Sequence, residues 1–361
     1  AELDKKAREA KVDGFVNNDQ TKIKWTVNLK EELLRGRRLV FDPSCLTKSL
    51  YRPFGKQWLY FNRPLHERVL QMPRIFPDSE SQNLVIGFSA TESRSAFSAL
   101  ISDRITSLHA VDMVGSQYFP LYLYEKNEGT PEGEFFANAN PNEAGKYNRR
   151  DGISDAGLAH FQAAYPAKGQ GDGISKEDVF YYIYGLLHSS DYRSRFADNL
   201  GKEIPRIPAV KAFADFRAFS QAGRDLARLH LNYETEEPHA VTIDSGKYRL
   251  SALTPDQYRV KKMRFASKAD KSIVIYNEHI TIKDIPLKAY EYVVNGKPAL
   301  EWVMERQAVM EDKESGILND ANLWGIETME NPRYPLELFQ RVITVSLETL
   351  KIIEKLPALD I

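Results

Sequence analysis

SKEDVFYYIYGLLHSSDYRSRFADNLGKEIPRIP, Ser175 to Pro208, is the stretch whose reading decides the fold class. Ser175 is a good N-cap residue, and Asp178 stands three positions on, in the capping-box place. Val179, Ile183 and Leu186 then recur at helical spacing, so their side chains share one face. Ser189 and Ser190 break this helix. Asp191 is placed to cap a second one, whose Tyr192, Phe196 and Leu200 repeat the stripe until Pro205 and Pro208 stop it. Working outward, Val210, Phe213, Phe216, Phe219, Gly223 and Leu226 predict a third helix. Consecutive apolar stripes of this kind form a helical layer, which must be covered by another layer.

The covering elements read as short strands. WLYF (58–61), LVIGF (84–88) and YFPLYLY (118–124) are aromatic and β-branched runs bounded by Pro, Gly, Asn and Asp. Further strands are expected at 239–244, 258–265 and 272–276. Residues 29–35 read as a short helix. A last helix begins near Pro335, a favoured first position, and ends before Pro357. Eight of the 20 glycines fall between Lys126 and Ser175, with few aliphatics among them. That composition predicts a long loop or linker. The pattern is therefore a mixed α+β fold of small sheets and hairpins with a helical layer. Its expected divisions are a β-rich segment 1–125, a linker 126–175 and a main segment 176–361. No internal repeat is present.

The composition excludes several classes. In 361 residues, 42% are hydrophobic and 27% charged, as in folded globular proteins. No apolar run approaches a membrane span, and AELDKKAREAK lacks the apolar stretch of a secretory leader. The single Cys45 cannot form an internal disulfide, which suits a reducing cytoplasm. Net charge is −1, so any nucleic-acid surface must be a local patch. Acidic residues gather later in the chain: Glu301, Glu305, Glu311, Asp312, Glu314, Asp320, Glu327 and Glu330. These read as solvated surface or as a contact with other domains.

Catalytic motifs are missing. An amino-methyltransferase grips its target with an [NDS]PP[YFW] loop, yet the chain has no PP dipeptide. Asn331-Pro332-Arg333-Tyr334 imitates that loop poorly and reads as the turn before the last helix. Gly169-Gln170-Gly171-Asp172-Gly173 has glycines but no strand before it, so it is not the glycine loop of a nucleotide site. No phosphate loop, HExxH, CxxC or EF-hand pattern occurs. His188 and His230 lie within helical patterns and are expected to be hydrogen-bonded structural residues. No catalytic residue and no metal site is assigned.

The strongest binding signal is YRVKKMRFASKADKSIVIYN, Tyr258 to Asn277. It reads as a β-hairpin around a polar turn. Arg259, Lys261, Lys262, Arg264, Lys268 and Lys271 oppose a lone Asp270. Strand alternation would send Arg259 and Lys261 to one face and Lys262 and Arg264 to the other. A ribbon of this kind fits the major groove, and its cations track phosphates. The same lysines could merely protect an edge from pairing. A second candidate is SATESR (89–94), whose Ser93 and Arg94 sit at a strand end and suit phosphate or base-edge contact. Arg52 in Tyr51-Arg52-Pro53-Phe54, with Arg193 and Arg206, reads instead as an arginine strut among aromatics. Tyr181, Tyr182 and Tyr184 are expected to pack against a neighbouring layer.

Several long strings in this order closely resemble the C-terminal specificity region of Type ISP restriction–modification enzymes. They are FYYIYGLLHSSDYRSRFADNLGKEIPRIP, YRPFGKQWLYF (51–61), FPLYLYE (119–125), GRDLARLHLNYE (223–234), YRVKKMRF, YVVNGKPALEWVMERQ, SGILNDAN and RVITVSLETL. They span nearly the whole chain. Such enzymes are single bacterial polypeptides joining a nuclease, a helicase-like motor, an adenine methyltransferase and a target recognition domain. The resemblance implies a monomeric, cytoplasmic module that recognises a short asymmetric site in double-stranded DNA. It tips the basic hairpin toward DNA contact. S-adenosylmethionine, ATP and magnesium would belong to upstream methyltransferase and helicase domains, not to this chain. Two rivals stay open: residues 1–125 could complete a methyltransferase fold, or the helical layer could be a protein–protein coupling module.

Overall fold

The computed structural model describes residues 2–17, 19, 21–89, 91–93, 95–126 and 147–361, with side chains from Lys6 onward. Helices Lys176–His188 and Phe213–Leu231 pack against each other at its centre. Ser175 caps the first through a complete capping box with Asp178. Val179, Tyr182 and Leu186 from one helix meet Phe216, Phe219 and Leu226 from the other, all fully buried. The Tyr182 ring stacks on Phe216 at 4.8 Å. Each such burial contributes roughly 1.5–3 kcal/mol. The axes approach closely because Gly223 has no side chain: a Cβ there would lie 1.8 Å from the Tyr181 carbonyl oxygen. Ser220 Oγ donates to the Asp178 carbonyl across the same contact, at 2.9 Å. The next short helix, Ser190–Arg195, is capped by Ser189 rather than Asp191, since the Ser189 hydroxyl accepts from Tyr192 N. The last helix, Tyr334–Glu354, starts one residue before the expected Pro335.

All named strands pair antiparallel. Ala99–Ser102, Val85–Ser89 and Ser116–Pro120 form a three-stranded sheet with Val85–Ser89 in the middle. The run 118–124 is two strands, because the chain turns at Leu121 and Tyr122–Lys126 pairs instead with Tyr147–Asp151. The four-stranded sheet runs Thr242–Asp244, Thr281–Lys283, Val274–Ile275, Arg264–Phe265. Leu46–Arg52 and Gly55–Tyr60 make an entry hairpin whose turn holds Phe54 at φ +56°. Phe54 is buried edge-on against Tyr233 and Tyr292, and this packing holds the uncommon backbone in place.

Two further sequence expectations change. Residues 127–146 of the expected linker lie outside the described residues. The part 147–175 is built structure: a strand, then helix Asp155–Ala164 capped by Ser154, with Ile153, Phe161, Tyr165 and Ile174 in the core. A glycine here serves packing and not freedom, for a Cβ on Gly152 would lie 2.0 Å from the Pro120 carbonyl oxygen. The buried clusters also cross the expected divisions. Leu50, Phe54, Leu100 and Val111 share one core with Tyr258, Val303 and Val342, while Ile86, Phe88 and Ile101 share another with Phe180 and Phe216.

Candidate nucleic-acid interface

The basic segment is a ribbon only at its tip. Thr254 and Gln257 form a capping box around Pro255, so 255–258 is a helical turn and not a strand. The following residues are tied to the far hairpin, Val309–Glu311 with Leu318–Asp320. Val260 N donates to Asn322 Oδ1 and its carbonyl accepts from Asn322 Nδ2, both at 2.9 Å, while Val309 N donates to the Lys261 carbonyl. Strand pairing starts at Arg264, opposite Ile275. Alternation therefore does not sort Arg259, Lys261 and Lys262 between two faces.

The six cations divide by partner. Arg259 forms an ion pair with Asp320, whose side chain is 4% exposed and also accepts from both the backbone and side-chain nitrogens of Asn322. It is a strut. Lys271 lies 2.7 Å from Glu301 and over the Phe265 and Tyr290 rings. Lys261, Lys262, Arg264 and Lys268 are exposed, and among the described residues none has a carboxylate at ion-pair distance. Lys261 and Lys262 line an open cleft of about 480 Å³ with Phe265 and Met304. Lys297, which no sequence pattern marks, borders the same cleft but is paired with Glu305. Only its place in the folded chain brings it there.

In the second candidate, Arg94 lies outside the described residues. Ser93 Oγ is engaged locally, accepting from Ser95 N at 3.1 Å. The backbone of this loop is held by Glu92 N on the Gly201 carbonyl. The arginine struts divide too. Arg52 lies over the Tyr51 ring at 4.3 Å and donates to the Tyr51 carbonyl and Ser107 Oγ. Arg193 donates to the Leu187 carbonyl at 2.7 Å. Arg206 is no strut: its side chain is largely exposed and, among the described residues, pairs only with Glu203.

His188 and His230 are internal. His230 Nδ1 shares a 2.6 Å hydrogen bond with Tyr184 OH, and its Nε2 lies 2.9 Å from Thr349 Oγ1. Tyr184 OH also accepts from Ile101 N. His188 Nδ1 faces the Tyr184 carbonyl. Burial pulls His230 down to about 3. His188 is driven well below its ordinary value, first by burial and then by the Arg193 charge. Both rings are neutral at pH 7. Tyr182 donates to the Pro208 carbonyl, so the helical tyrosines are packing elements.

The segment Lys261–Lys268 offers fixed positive charge at an exposed surface. No described helix is long and apolar enough to cross a membrane.

The Type ISP C-terminal specificity domain family matches residues 1–338. Similar solved structures include three DNA complexes. A nuclease-deletion mutant of the Type ISP restriction–modification enzyme LlaGI, in complex with a DNA substrate mimic, is 37% identical over 98% of this chain, with a TM-score of 0.77. The ATP-dependent Type ISP restriction–modification enzyme LlaBIII, bound to DNA, is 34% identical over 100% of it, at 0.81. A DrdV–DNA complex is 28% identical over 98%, at 0.77. The chain covers 24%, 22% and 32% of those proteins respectively. No curated protein matches it.

Proposed function

This chain belongs to the Type ISP C-terminal specificity domains, and on that premise we propose that it is the double-stranded DNA recognition module of a larger restriction–modification enzyme. In this reading it holds duplex DNA in register while other domains methylate an adenine and drive cleavage. Those domains bind S-adenosylmethionine, ATP and magnesium, and the whole works as a cytoplasmic monomer. The observation that carries the DNA contact is the set Lys261, Lys262, Arg264 and Lys268: four exposed cations within eight residues, none spent on an ion pair among the described residues. Phosphate contacts position a protein on DNA, and each releases counterions.

The test is a duplex-binding titration over a range of salt with all four residues changed to alanine. Binding weakens on every duplex alike, and the slope of log affinity against log salt flattens by roughly 0.9 for each phosphate that is no longer neutralised. Surface positions of this kind move stability by no more than about 0.5 kcal/mol. An unchanged slope would remove this segment from the DNA interface. The unsubstituted chain, given duplex DNA, S-adenosylmethionine, ATP and magnesium, leaves the DNA unmethylated and uncut. Methyl incorporation would revive the reading of residues 1–125 as part of a methyltransferase.

A further inference from the structure

On the other side of the hairpin Val309–Asp320 lies a second open cleft, of about 420 Å³. The entry hairpin forms one wall and residues 306–328 the other. Ala308 and Met310 border both this cleft and the one beside Lys261. The chemistry here is different. Trp58 is 55% exposed, Leu318 59%, Leu323 44% and Met310 40%. Single exposed apolar side chains are ordinary, but a cleft lined by several, with a tryptophan among them, marks an interaction surface.

The tryptophans are held ready. Trp58 and Trp324 lie with ring centroids 6.3 Å apart. Trp58 Nε1 donates to Thr328 Oγ1 at 3.0 Å, and Lys48 Nζ sits 5.4 and 5.6 Å from the two rings. An anchor that is already ordered loses little side-chain entropy on binding. Gln307 also lines the cleft, is 6% exposed, and keeps Oε1 without a donor among the described residues.

Charge decides between a nucleic acid and a protein. Glu327 lines the cleft, and exposed Glu311, Asp312 and Glu314 lie at the turn of the adjoining hairpin, against Lys313, Lys24 beside Asp312 and the ring-held Lys48. The nearby cations are engaged: Arg306 with Glu305, Lys56 with Glu234, Arg259 with Asp320. A phosphate backbone would be repelled here, whereas a basic polypeptide would be drawn in.

We propose that this cleft docks a polypeptide segment with an aromatic or aliphatic anchor flanked by lysine or arginine, contributed by another domain of the same polypeptide. The proposal rests on the reading of the chain as one module of a longer enzyme. The share of the relatives that lies outside the matched region, well over half in each, supports an occupant of this kind. Gln307 Oε1 then accepts from an N–H of the incoming segment.

The experiment is photo-crosslinking in the full-length polypeptide with Leu318→p-benzoylphenylalanine, with and without duplex DNA, and peptide mapping of the products. The expected product joins position 318 to a segment outside residues 1–361 that carries an apolar residue beside Lys or Arg. Its yield falls at least tenfold with Trp58→Ala. It falls also with the double charge reversal Glu311→Lys and Glu314→Lys, which alters only exposed positions. Crosslinks to DNA, to residues within 1–361 alone, or between two copies would each overturn the proposal, as would yields unmoved by these changes. A parallel probe, Lys268→p-benzoylphenylalanine, is expected to capture DNA. If it does not, the DNA reading of that segment fails; the result at position 318 stands or falls separately.

Discussion

The helical centre, Phe180–Leu231, and the basic segment, Arg259–Lys271, spend their polar groups in opposite ways. In the first, His188, His230, Tyr184 and Ser220 are buried and hydrogen-bonded to the protein itself. In the second, four cations face solvent and two are drawn inward by Asp320 and Glu301. Buried polar groups that find partners fix one arrangement of the core. Exposed cations leave the fold nearly indifferent and are free to meet a ligand. Stability and recognition should therefore separate between the two regions, and substitutions can test how completely they do.

The largest expected effect breaks the helical centre. Gly223→Ala places a Cβ 1.8 Å from the Tyr181 carbonyl oxygen, so the two helices must move apart along their contact. Overpacking in a core costs about 1–3 kcal/mol and sometimes more, and a backbone obstacle with no soft neighbour belongs at the top of that range. A thermal or urea melt should show the loss. A variant as stable as the parent would mean that the helices do not cross this closely.

The next effect is on pH. Both His188 and His230 have folded-state values below the unfolded one, with His230 at about 3. As pH falls below the ordinary histidine value near 6.5, the unfolded chain takes up protons that the folded chain refuses. Stability is therefore fully present above about 6.5 and is lost progressively toward the folded values. The slope is at most about 1.4 kcal/mol per pH unit for each ring. Melts of the parent and of His230→Gln between pH 7 and 5 should show a shallower acid slope in the variant. Equal slopes would show that His230 does not stay neutral.

The same contrast explains what is legible in the sequence. The helices can be read from spacing, because Val179, Ile183 and Leu186 announce a face through residues three and four apart, and a proline or capping box marks the ends. The run Tyr258–Met263 misleads for the opposite reason. Its β-prone residues are answered by Asn322 and Val309, some 50–60 positions away, and the capping box at Thr254 claims its start. Whether a cation is free is equally invisible, since Asp320 and Glu301 are distant in sequence. The glycines between 147 and 175 look like slack, yet Gly152 marks a close backbone approach that only the folded chain reveals. The apolar cleft leaves no sequence signal because Trp58, Leu318 and Leu323 each lie in an ordinary-looking element.

Arg259 sharpens the division within the basic segment. Arg259→Ala removes a donor from the buried Asp320 carboxylate, and an unsatisfied buried acceptor costs about 1–3 kcal/mol. Asn322 still serves that carboxylate, which favours the lower half of the range. The melting temperature should fall while the salt slope of duplex binding stays as in the parent. A flatter slope with unchanged stability would move Arg259 from strut to phosphate ligand.

The smallest effect belongs to Lys271. Its pairing with Glu301 is partly exposed, and ion pairs of that kind contribute between about 0 and 1 kcal/mol. The Phe265 and Tyr290 rings beneath it add cation–π attraction of similar size. Lys271→Ala should therefore lower stability by no more than about 1 kcal/mol, and high salt should narrow the difference because screening weakens what is removed. Duplex binding and its salt slope should not change, because the charge is already answered within the protein. If the slope flattens by roughly 0.9 instead, a phosphate competes with Glu301 for this lysine. The boundary between the internal and the exposed cations would then lie between Arg259 and Lys261 alone.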